Sequence, residues 1–306
     1  MKRAVPIAGA ILLVALFATL YRPPIPVERL TEQYSDEQSD FLDLDGFRVH
    51  HRVVGNGVPL LLIHGTSSSL HTWAGWQELL RDEWRTIAID MPGGGLTDPA
   101  PNEDYSIATY IDVLDRFIEA TGIDSFHMAG NSLGGHIAWA YALRGEHRDR
   151  LGRLVLVDPS GIAQAGMEKP AVFKLAQIDV LFALIEHINV RPFVRKSLGE
   201  VFLDDAKVDQ AIIDRYADLM RRPGNRNAFF NKVRQLEMEE ADVLAGIDVP
   251  VLVQWGAEDA WIPPSLADVY AREIEDVTVH MYEAGHIPME ELPDETAADV
   301  RTFLMP

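Results

Sequence analysis

The 306-residue sequence contains no cysteine, and this absence excludes disulfide bonds and thiolate metal sites. The absence does not restrict the compartment, because a cysteine-free protein works on either side of a membrane. Histidine, aspartate and glutamate form no group with the spacing of metal ligands. The glycine-rich stretch DMPGGGLTD, residues 90–98, lacks the spaced glycines and the helix of a dinucleotide or phosphate loop. We therefore expect neither a metal nor an organic cofactor.

Basic residues are scarce, because 27 lysines and arginines stand against 47 acidic residues and leave a net charge of −20. A field of that sign repels nucleic acid, so we exclude nucleic acid as a partner. One short segment is an exception, and it is either a solvated helix face or a contact for anionic lipid headgroups or an anionic substrate. Its basic residues are Arg221, Arg222, Arg226, Lys232 and Arg234.

Long apolar runs are also missing, except at the N-terminus. There, Lys2 and Arg3 precede the run AVPIAGAILLVALFATL, residues 4–20, which is just long enough to span a bilayer. A well-placed cleavage site of the A-x-A type is missing, which favours an uncleaved signal anchor over residues 1–21 to a cleaved signal peptide. The positive-inside rule then places the rest of the chain on the extracytoplasmic side, whereas cleavage would release a secreted or periplasmic protein. Residues 22–40, rich first in proline and then in acidic residues, are expected to form a linker.

Alternating strand and helix patterns begin at Phe41. The first two strand patterns flank Asp45-Gly46, which predicts a hairpin. Short continuous apolar runs such as VPLLLI, residues 58–63, are typical of strands buried on both faces. Because helical patterns separate these runs, we predict a mostly parallel sheet with right-handed crossovers. The expected organisation is a core of residues 41–161 and 241–306, interrupted by a helical cap at residues 162–240.

The motif Gly130-Asn131-Ser132-Leu133-Gly134 lies where a predicted strand, SFHMAGN, turns into a predicted helix, SLGGHIAWAYAL. A serine at such a sharp, strained turn exposes its hydroxyl at the carboxyl edge of the sheet. Gly130 and Gly134 allow the close approach of backbone and helix that this turn requires. An ordinary N-cap serine is the alternative. The strand–turn–helix context predicts that Ser132 is a nucleophile.

A serine nucleophile needs a base, and the base needs an acid that orients it. His286 follows the last predicted strand in the turn YEAGHIP and is the predicted base, with a surface-loop histidine as the alternative. Asp259, directly after the strand in VQWGAEDAWIP, is the predicted acid. Asp158 and Glu258 are rival carboxylates. The order Ser132, Asp259, His286 is the order expected for such a triad.

Backbone N–H groups are needed to stabilise the negative charge that develops on a carbonyl oxygen under attack. The predicted donors are the N–H of Leu133, directly after the nucleophile, and the N–H of Thr66, in the loop after the strand LLLIHG. Gly65 lets that loop fold close to the site. We interpret His64 as a hydrogen-bonded brace for the loop, and Asp90 as a structural residue.

These segments together resemble the α/β-hydrolase fold family. The resemblance covers the chain from about Phe41 onwards, and it implies an eight-stranded, mostly parallel sheet with a helical cap inserted after strand six. It assigns nucleophile, acid and base to Ser132, Asp259 and His286, and serine at the first position argues against dehalogenases and epoxide hydrolases. The segment GNSLGG is similar to the nucleophile segment of meta-cleavage-product C–C hydrolases and also to that of many esterases. The segments that carry the resemblance are LLLIHGTSSSLHTW, IAIDMPGGGLTD, HMAGNSLGGHIAWAYAL, RLVLVDPSG, VPVLVQWGAEDAWIP and EAGHIPMEE.

The predicted activity is that of a serine hydrolase, which cleaves a small-molecule carboxylic ester with an apolar acyl or alcohol part through an acyl-enzyme. A second hypothesis is that the same residues cleave a carbon–carbon bond in a vinylogous diketone acid. A non-catalytic binding module on the same scaffold is the third. Four tryptophans are either core residues or the lining of an acyl pocket, namely Trp73, Trp76, Trp255 and Trp261.

Overall fold

The computed structural model describes residues 20–163 and 187–305, and an eight-stranded sheet lies at their centre. The strands are β1 (Ser39–Leu44), β2 (Phe47–Val54), β3 (Val58–Ile63), β4 (Trp84–Ile89), β5 (Phe126–Asn131), β6 (Leu151–Val157), β7 (Val251–Gly256) and β8 (Val277–Tyr282). Their order across the sheet is β1-β2-β4-β3-β5-β6-β7-β8. Strand β2 pairs antiparallel with β1 and β4, and the other pairs are parallel. The predicted mostly parallel sheet is confirmed.

Helices connect and flank the strands in the described parts of the chain. The α-helices are α1 (Val27–Tyr34), α2 (Ala74–Leu80), α3 (Ile107–Thr121), α4 (Leu133–Arg144), α5 (Arg191–Val201), α6 (Gln210–Leu219), α7 (Asn225–Gln235), α8 (Leu266–Glu273), α9 (Pro288–Glu291) and α10 (Pro293–Leu304). Short 3-10 helices occur at Leu70–Trp73, Pro101–Glu103, Arg148–Arg150, Asp205–Lys207 and Ala241–Gly246.

Both faces of the sheet are buried, as the continuous apolar runs predict. In β3, Leu61 and Ile63 face one core cluster, which also contains residues of α3 and α4. Leu60 and Leu62 face the other, which contains residues of α2 and α10. Because strand side chains alternate between faces, an apolar residue is needed at every position of a strand covered on both sides.

The turn between β1 and β2 is the predicted hairpin. Asp45 and Gly46 have φ angles of 57° and 84°. Positive φ at both central residues is the geometry of a type I′ turn, which Asp-Gly favours and whose twist matches that of the flanking strands.

The segment at residues 22–40 differs from the predicted linker, because it contains helix α1. Leu30 on this helix is fully buried and clusters with Leu96 and Leu219. The backbone N–H of Ile25 also donates to the Arg221 carbonyl at 2.9 Å. The linker interpretation is wrong for the residues of α1. Prolines that precede a helix are compatible with burial of an apolar side chain on that helix.

The predicted signal anchor at residues 1–21 falls almost entirely outside the described residues, which begin at Leu20. In the parts of the chain that the structure describes, no helix combines the length and apolar character that crossing a membrane requires.

Helices α5, α6 and α7 lie between β6 and β7, where the sequence predicts a helical insertion. The two ends of this segment meet, since the Glu239 backbone N–H donates to the Gly161 carbonyl at 2.7 Å and the Glu239 carbonyl accepts the Ala163 N–H at 2.9 Å. Residues 164–186 of the predicted cap fall outside the described residues. The last α-helix of the segment ends at Gln235.

Candidate active site

Ser132 occupies the turn between β5 and α4, with φ 56° and ψ −117°. A non-glycine residue in this sparsely populated region stores strain of about 1–3 kcal/mol, and such strain clusters at functional sites. Its backbone is held on both sides, because its N–H donates to Val157 and its carbonyl accepts from Ser160, both at 3.0 Å. Its side chain makes no capping hydrogen bond to α4. Ser132 is therefore not an ordinary N-cap.

The glycines on either side of Ser132 lie where a side chain would not fit. A Cβ atom on Gly130 would come within 2.1 Å of the Gly134 carbonyl oxygen. A Cβ atom on Gly134 would come within 2.1 Å of the Ile63 carbonyl oxygen. Glycine at both positions thus lets α4 pack directly against β5 and β3.

His286 and Asp259 are paired. His286 lies in the turn after β8, and its Nδ1 is 2.7 Å from Oδ2 of Asp259, in the turn after β7. The other oxygen of Asp259 accepts the backbone N–H groups of Trp261 at 2.7 Å and Ile262 at 3.0 Å. Burial opposes ionisation of Asp259, but the His286 ring and these two N–H groups outweigh it, so the pKa of this carboxyl is lowered. An ionised Asp259 holds the ring with Nδ1 protonated and leaves Nε2 as the basic nitrogen.

One cavity is lined by both Ser132 and His286. No hydrogen bond joins the two side chains among the described contacts. Catalytic hydrogen bonds are often long in a protein without substrate and tighten when substrate binds.

The rival carboxylates have different surroundings. Glu258 is exposed. Asp158 is fully buried, and its Oδ1 accepts the Gly256 N–H at 2.9 Å. Burial and the neighbouring Asp259 carboxylate raise the pKa of Asp158 well above its usual range. The surroundings of Asp158 therefore favour its protonated form, whereas those of Asp259 favour the ionised form.

A metal is the alternative occupant of this group, since Asp158, Asp259 and His286 each place one possible ligand atom within 4.8 Å of the others. The Nδ1 of His286 is, however, already bonded to Asp259. A protonated Asp158 carboxyl is also a poor ligand, because metals bind the deprotonated form. We interpret the group as the hydrogen-bonded His286–Asp259 pair with the buried Asp158 carboxyl next to it.

His64 braces the loop after β3 through two hydrogen bonds. The ring Nδ1–H donates to the Gly65 carbonyl at 2.7 Å, and Nε2 accepts the Met91 N–H at 3.0 Å. Burial lowers the pKa of His64 to about 4, so the ring is neutral and both nitrogens are used for structure. Asp90 has a structural role as well, since its carboxylate accepts the Leu70 N–H at 2.7 Å.

The two candidate oxyanion donors belong to the loop after β3 and to the start of α4. Thr66 lines the cavity together with Ser132, and Leu133 is the first residue of α4. Neither backbone N–H has a hydrogen-bond partner among the described residues. The Leu133 N–H is one of the N-terminal amides that a helix leaves unpaired, where negative charge is favoured.

The cavity above Ser132 has an empty volume of about 1470 Å³, part of it open solvent. Trp261 lines it and stacks on His286, with ring centroids 6.0 Å apart. The other three tryptophans named from the sequence are fully buried core residues. Most of the remaining lining is apolar, and much of it comes from α5, α7 and the residue directly after α6, with Phe193, Val194, Leu198, Val201, Met220, Phe229 and Val233.

Two residues that support the site were not predicted. The Asn131 amide donates to the Val157 carbonyl at 3.2 Å and to the His286 carbonyl at 3.1 Å, which ties the Ser132 turn to the His286 turn. Glu291 accepts the Gly285 N–H at 2.9 Å. The position of Asn131 next to Ser132 is a signal in the sequence, whereas nothing in the sequence distinguishes Glu291 from its acidic neighbours.

Comparisons with known proteins identify relatives in both sequence and structure. The sequence profile of the α/β hydrolase fold family matches residues 58–293. The chain is 25% identical over 253 residues to a 2-hydroxy-6-oxo-6-phenylhexa-2,4-dienoate hydrolase from Burkholderia cepacia, covering 79% of this chain and 86% of that protein. It is 28% identical over 263 residues to monoacylglycerol lipase ABHD6 from Mus musculus, covering 82% and 76%. The solved structure of a membrane phospholipase A, a bacterial virulence factor, has a TM-score of 0.76 and 25% identity, with 99% of this chain and 98% of that chain covered.

The resemblance inferred from the sequence is thus confirmed, and it extends to C–C hydrolases as well as to lipases. The profile match covers most of the sheet and both turns that carry Ser132 and Asp259. The chain therefore belongs to the α/β hydrolase fold family.

Proposed function

We propose that the protein is a serine hydrolase that cleaves carboxylic esters with Ser132, His286 and Asp259. The observation that carries this proposal is the strained Ser132 turn facing the same cavity as the buried His286–Asp259 pair. A serine hydroxyl is a weak nucleophile, and a neutral imidazole oriented by a carboxylate is the base that activates it.

The proposed reaction has two steps. His286 Nε2 takes the proton of Ser132 as the hydroxyl oxygen attacks the ester carbonyl, and then returns it to the leaving alcohol. Water next repeats the attack on the acyl-enzyme. The free N–H groups of Thr66 and Leu133 would hold the carbonyl oxygen while it carries negative charge, and Asp259 would stabilise the protonated ring.

An apolar substrate fits the cavity best. An acyl or alcohol chain that binds against the lining from α5, α6 and α7 is stabilised by the hydrophobic effect, and this lining has few polar groups. We infer that these helices, with the rest of residues 162–240, act as a cap that selects the substrate. The similarity to a monoacylglycerol lipase and to a phospholipase A supports an ester with a long apolar part.

Labelling with a fluorophosphonate and hydrolysis of p-nitrophenyl esters of increasing chain length test this proposal. We expect Ser132→Ala to abolish both labelling and turnover. Ser197→Ala is the matched control, because Ser197 lines the same cavity but lies on helix α5 rather than at the strained turn. Full activity in Ser132→Ala would refute the assignment.

Cleavage of a carbon–carbon bond by the same residues is the second candidate. It is favoured by the similarity to a 2-hydroxy-6-oxo-6-phenylhexa-2,4-dienoate hydrolase. Parallel assays with a vinylogous diketone acid and with the p-nitrophenyl esters separate the two activities through the ratio of their kcat/KM values. Inertness towards both substrates and towards the fluorophosphonate would instead indicate a binding module on this scaffold.

We also propose that the apolar run at residues 4–20 attaches the protein to a membrane, with the catalytic domain on the extracytoplasmic side. The support is the run itself, preceded by Lys2 and Arg3, and the similarity along almost the whole chain to a membrane phospholipase A. An anchored protein stays with membranes after a carbonate wash. Its release into the wash would contradict the anchor.

A further inference from the structure

Two hydroxyl groups lie next to each other in the mostly apolar wall of the large cavity. Ser68 belongs to the loop after β3, and Tyr216 lies on α6. Their side-chain oxygens are 3.3 Å apart, so one of the two hydroxyls donates a hydrogen bond to the other. The direction of this bond decides whether the pair offers the cavity a hydrogen-bond donor or an acceptor.

A carboxylate on α9 sets that direction. The Oε2 atom of Glu290 accepts the Tyr216 hydroxyl at 2.9 Å and the Thr72 hydroxyl at 2.6 Å. The Oε1 atom of Glu290 forms an ion pair with Arg215. A carboxylate in an ion pair can only accept hydrogen bonds, and a tyrosine hydroxyl has a single proton to donate. The proton of Tyr216 therefore points to Glu290.

The Ser68 hydroxyl must then donate to the Tyr216 oxygen. Desolvation and the charge of Glu290 raise the pKa of Tyr216, so the proton of this hydroxyl stays in place. Hydrogen bonds arranged in such a chain polarise one another, which makes the Ser68 oxygen a better acceptor. Among the described residues, Ser68 Oγ forms no other hydrogen bond. The free end of the chain is thus an acceptor at the cavity wall.

Ser68 also lies close to the candidate oxyanion donor of Thr66. The Ser68 backbone N–H donates to the Gly65 carbonyl at 3.3 Å, which closes a turn over residues 65–68. The Cα atoms at the ends of such a turn lie within about 7 Å of each other. All of these residues line the cavity together with Ser132. A substrate held by the Thr66 N–H therefore brings groups a few bonds from its ester carbonyl within reach of Ser68.

We propose that Ser68 and Tyr216 form a specificity subsite for a hydroxyl group of the substrate, on its alcohol part or on its acyl part. The proposal rests on the proposed ester hydrolysis. The Ser68 oxygen accepts the hydrogen bond of the substrate hydroxyl, and Tyr216 is a positioning residue that fixes the direction of the Ser68 proton. The substrate class is an ester with a free hydroxyl close to the ester group and an apolar chain beyond it.

Two pairs of esters test this proposal with the full-length protein. The first pair is 2-hydroxyethyl hexanoate and 2-methoxyethyl hexanoate, and the second is ethyl 3-hydroxyhexanoate and ethyl 3-methoxyhexanoate. Within each pair, only the hydroxyl proton is replaced, by a methyl group. We expect kcat/KM to favour the hydroxyl ester by about 2- to 10-fold in one pair, the range of a single hydrogen bond. That pair identifies the part of the substrate that carries the hydroxyl.

Two substitutions separate the subsite from a structural role. Ser68→Ala removes the acceptor, so we expect it to lower kcat/KM for the hydroxyl ester alone. Tyr216→Phe keeps the ring but frees the Ser68 proton, which can then donate to the methoxy oxygen, so the preference should narrow because the methoxy ester gains. Ser197→Ala is the matched control, because it removes a hydroxyl on α5 that lines the same cavity, and it should keep the preference.

Equal kcat/KM values within both pairs for the wild-type protein would overturn the subsite. An equal fall for the two esters of a pair in Ser68→Ala would overturn it as well, because a merely structural role lowers both values alike. The same holds for a preference that survives unchanged in Ser68→Ala and Tyr216→Phe, or one that is lost to the same extent in Ser197→Ala.

Calorimetric titration of Ser132→Ala with the same esters measures the preference without turnover. We expect the hydroxyl ester of the preferred pair to bind more tightly than its methoxy partner. This result, together with a wild-type protein that hydrolyses none of the esters, would refute the proposed function and leave the subsite standing. Hydrolysis by the wild type without a preference in either pair would do the reverse.

Discussion

The two buried carboxyls next to His286 provide a sharp test of the site. Asp158 and Asp259 follow neighbouring strands, but only Asp259 is bonded to the His286 ring. Asparagine is nearly isosteric with aspartate and carries no charge, so one substitution at each position separates an ionised orienting acid from a neutral one. The assay is hydrolysis of a p-nitrophenyl ester under saturating conditions.

Replacing Asp259 removes the acceptor that fixes the tautomer of His286. We expect Asp259→Asn to lower kcat by about 10⁴-fold, the effect of forcing the wrong tautomer in a serine–histidine–aspartate triad. Asp158→Asn exchanges a neutral acid for a neutral amide, whose oxygen still accepts the Gly256 N–H. We expect that variant to keep kcat within about tenfold of the wild type, as an uncharged replacement keeps the hydrogen bond.

The pH dependence of the unfolding free energy of Asp158→Asn is a test that does not depend on activity. Above the ordinary pKa of 3.8, an unfolded chain loses the Asp158 proton while the folded chain retains it, because burial and Asp259 raise the folded pKa. The folded state then binds more protons than the unfolded state, so wild-type stability falls as pH rises towards the folded pKa. The asparagine variant lacks this loss and should gain about 1.4 kcal/mol over the wild type per pH unit in that window.

Urea unfolding of both proteins at several pH values between about 4 and 7 measures this difference, and the other titrating groups cancel because both proteins share them. A difference in unfolding free energy that stays constant over this range would show that folded Asp158 is ionised. An activity loss in Asp158→Asn as large as that in Asp259→Asn would refute the assignment of Asp259 as the orienting acid.

Three further substitutions test the packing of the fold. Gly134→Ala should destabilise the protein by about 3 kcal/mol or prevent folding, because the new Cβ would meet the Ile63 carbonyl. Gly122→Ala is the control: the space around Gly122 is open, so the substitution should cost only about 1 kcal/mol of left-handed backbone strain. Equal losses of unfolding free energy in chemical denaturation would contradict the steric argument. Leu30→Ala should lower the unfolding free energy by about 2–5 kcal/mol if α1 is part of the folded core. An unchanged urea midpoint would indicate that α1 is a linker that does not contribute to the stability of the core.

Much of the fold could be predicted because its signals are local. Continuous apolar runs such as residues 58–63 report burial on both faces of a strand, and Asp45-Gly46 reports its own turn. The glycines around Ser132 likewise record how closely α4 approaches β5. Helix α1 was missed because its helical signal is short and follows three prolines, and the burial of Leu30 depends on Leu96 and Leu219 far along the chain.

The candidate site divides in the same way. By itself, the sequence determined the α/β architecture, the strand-to-helix turn at Ser132 and the turns that hold Asp259 and His286, because each is encoded by residues next to one another. Only the tertiary structure decided that burial and Asp259 raise the pKa of Asp158 and that Lys232 is buried on a helix beside the candidate active site. Protonation and burial depend on which distant side chains surround a group, and no local pattern records those neighbours.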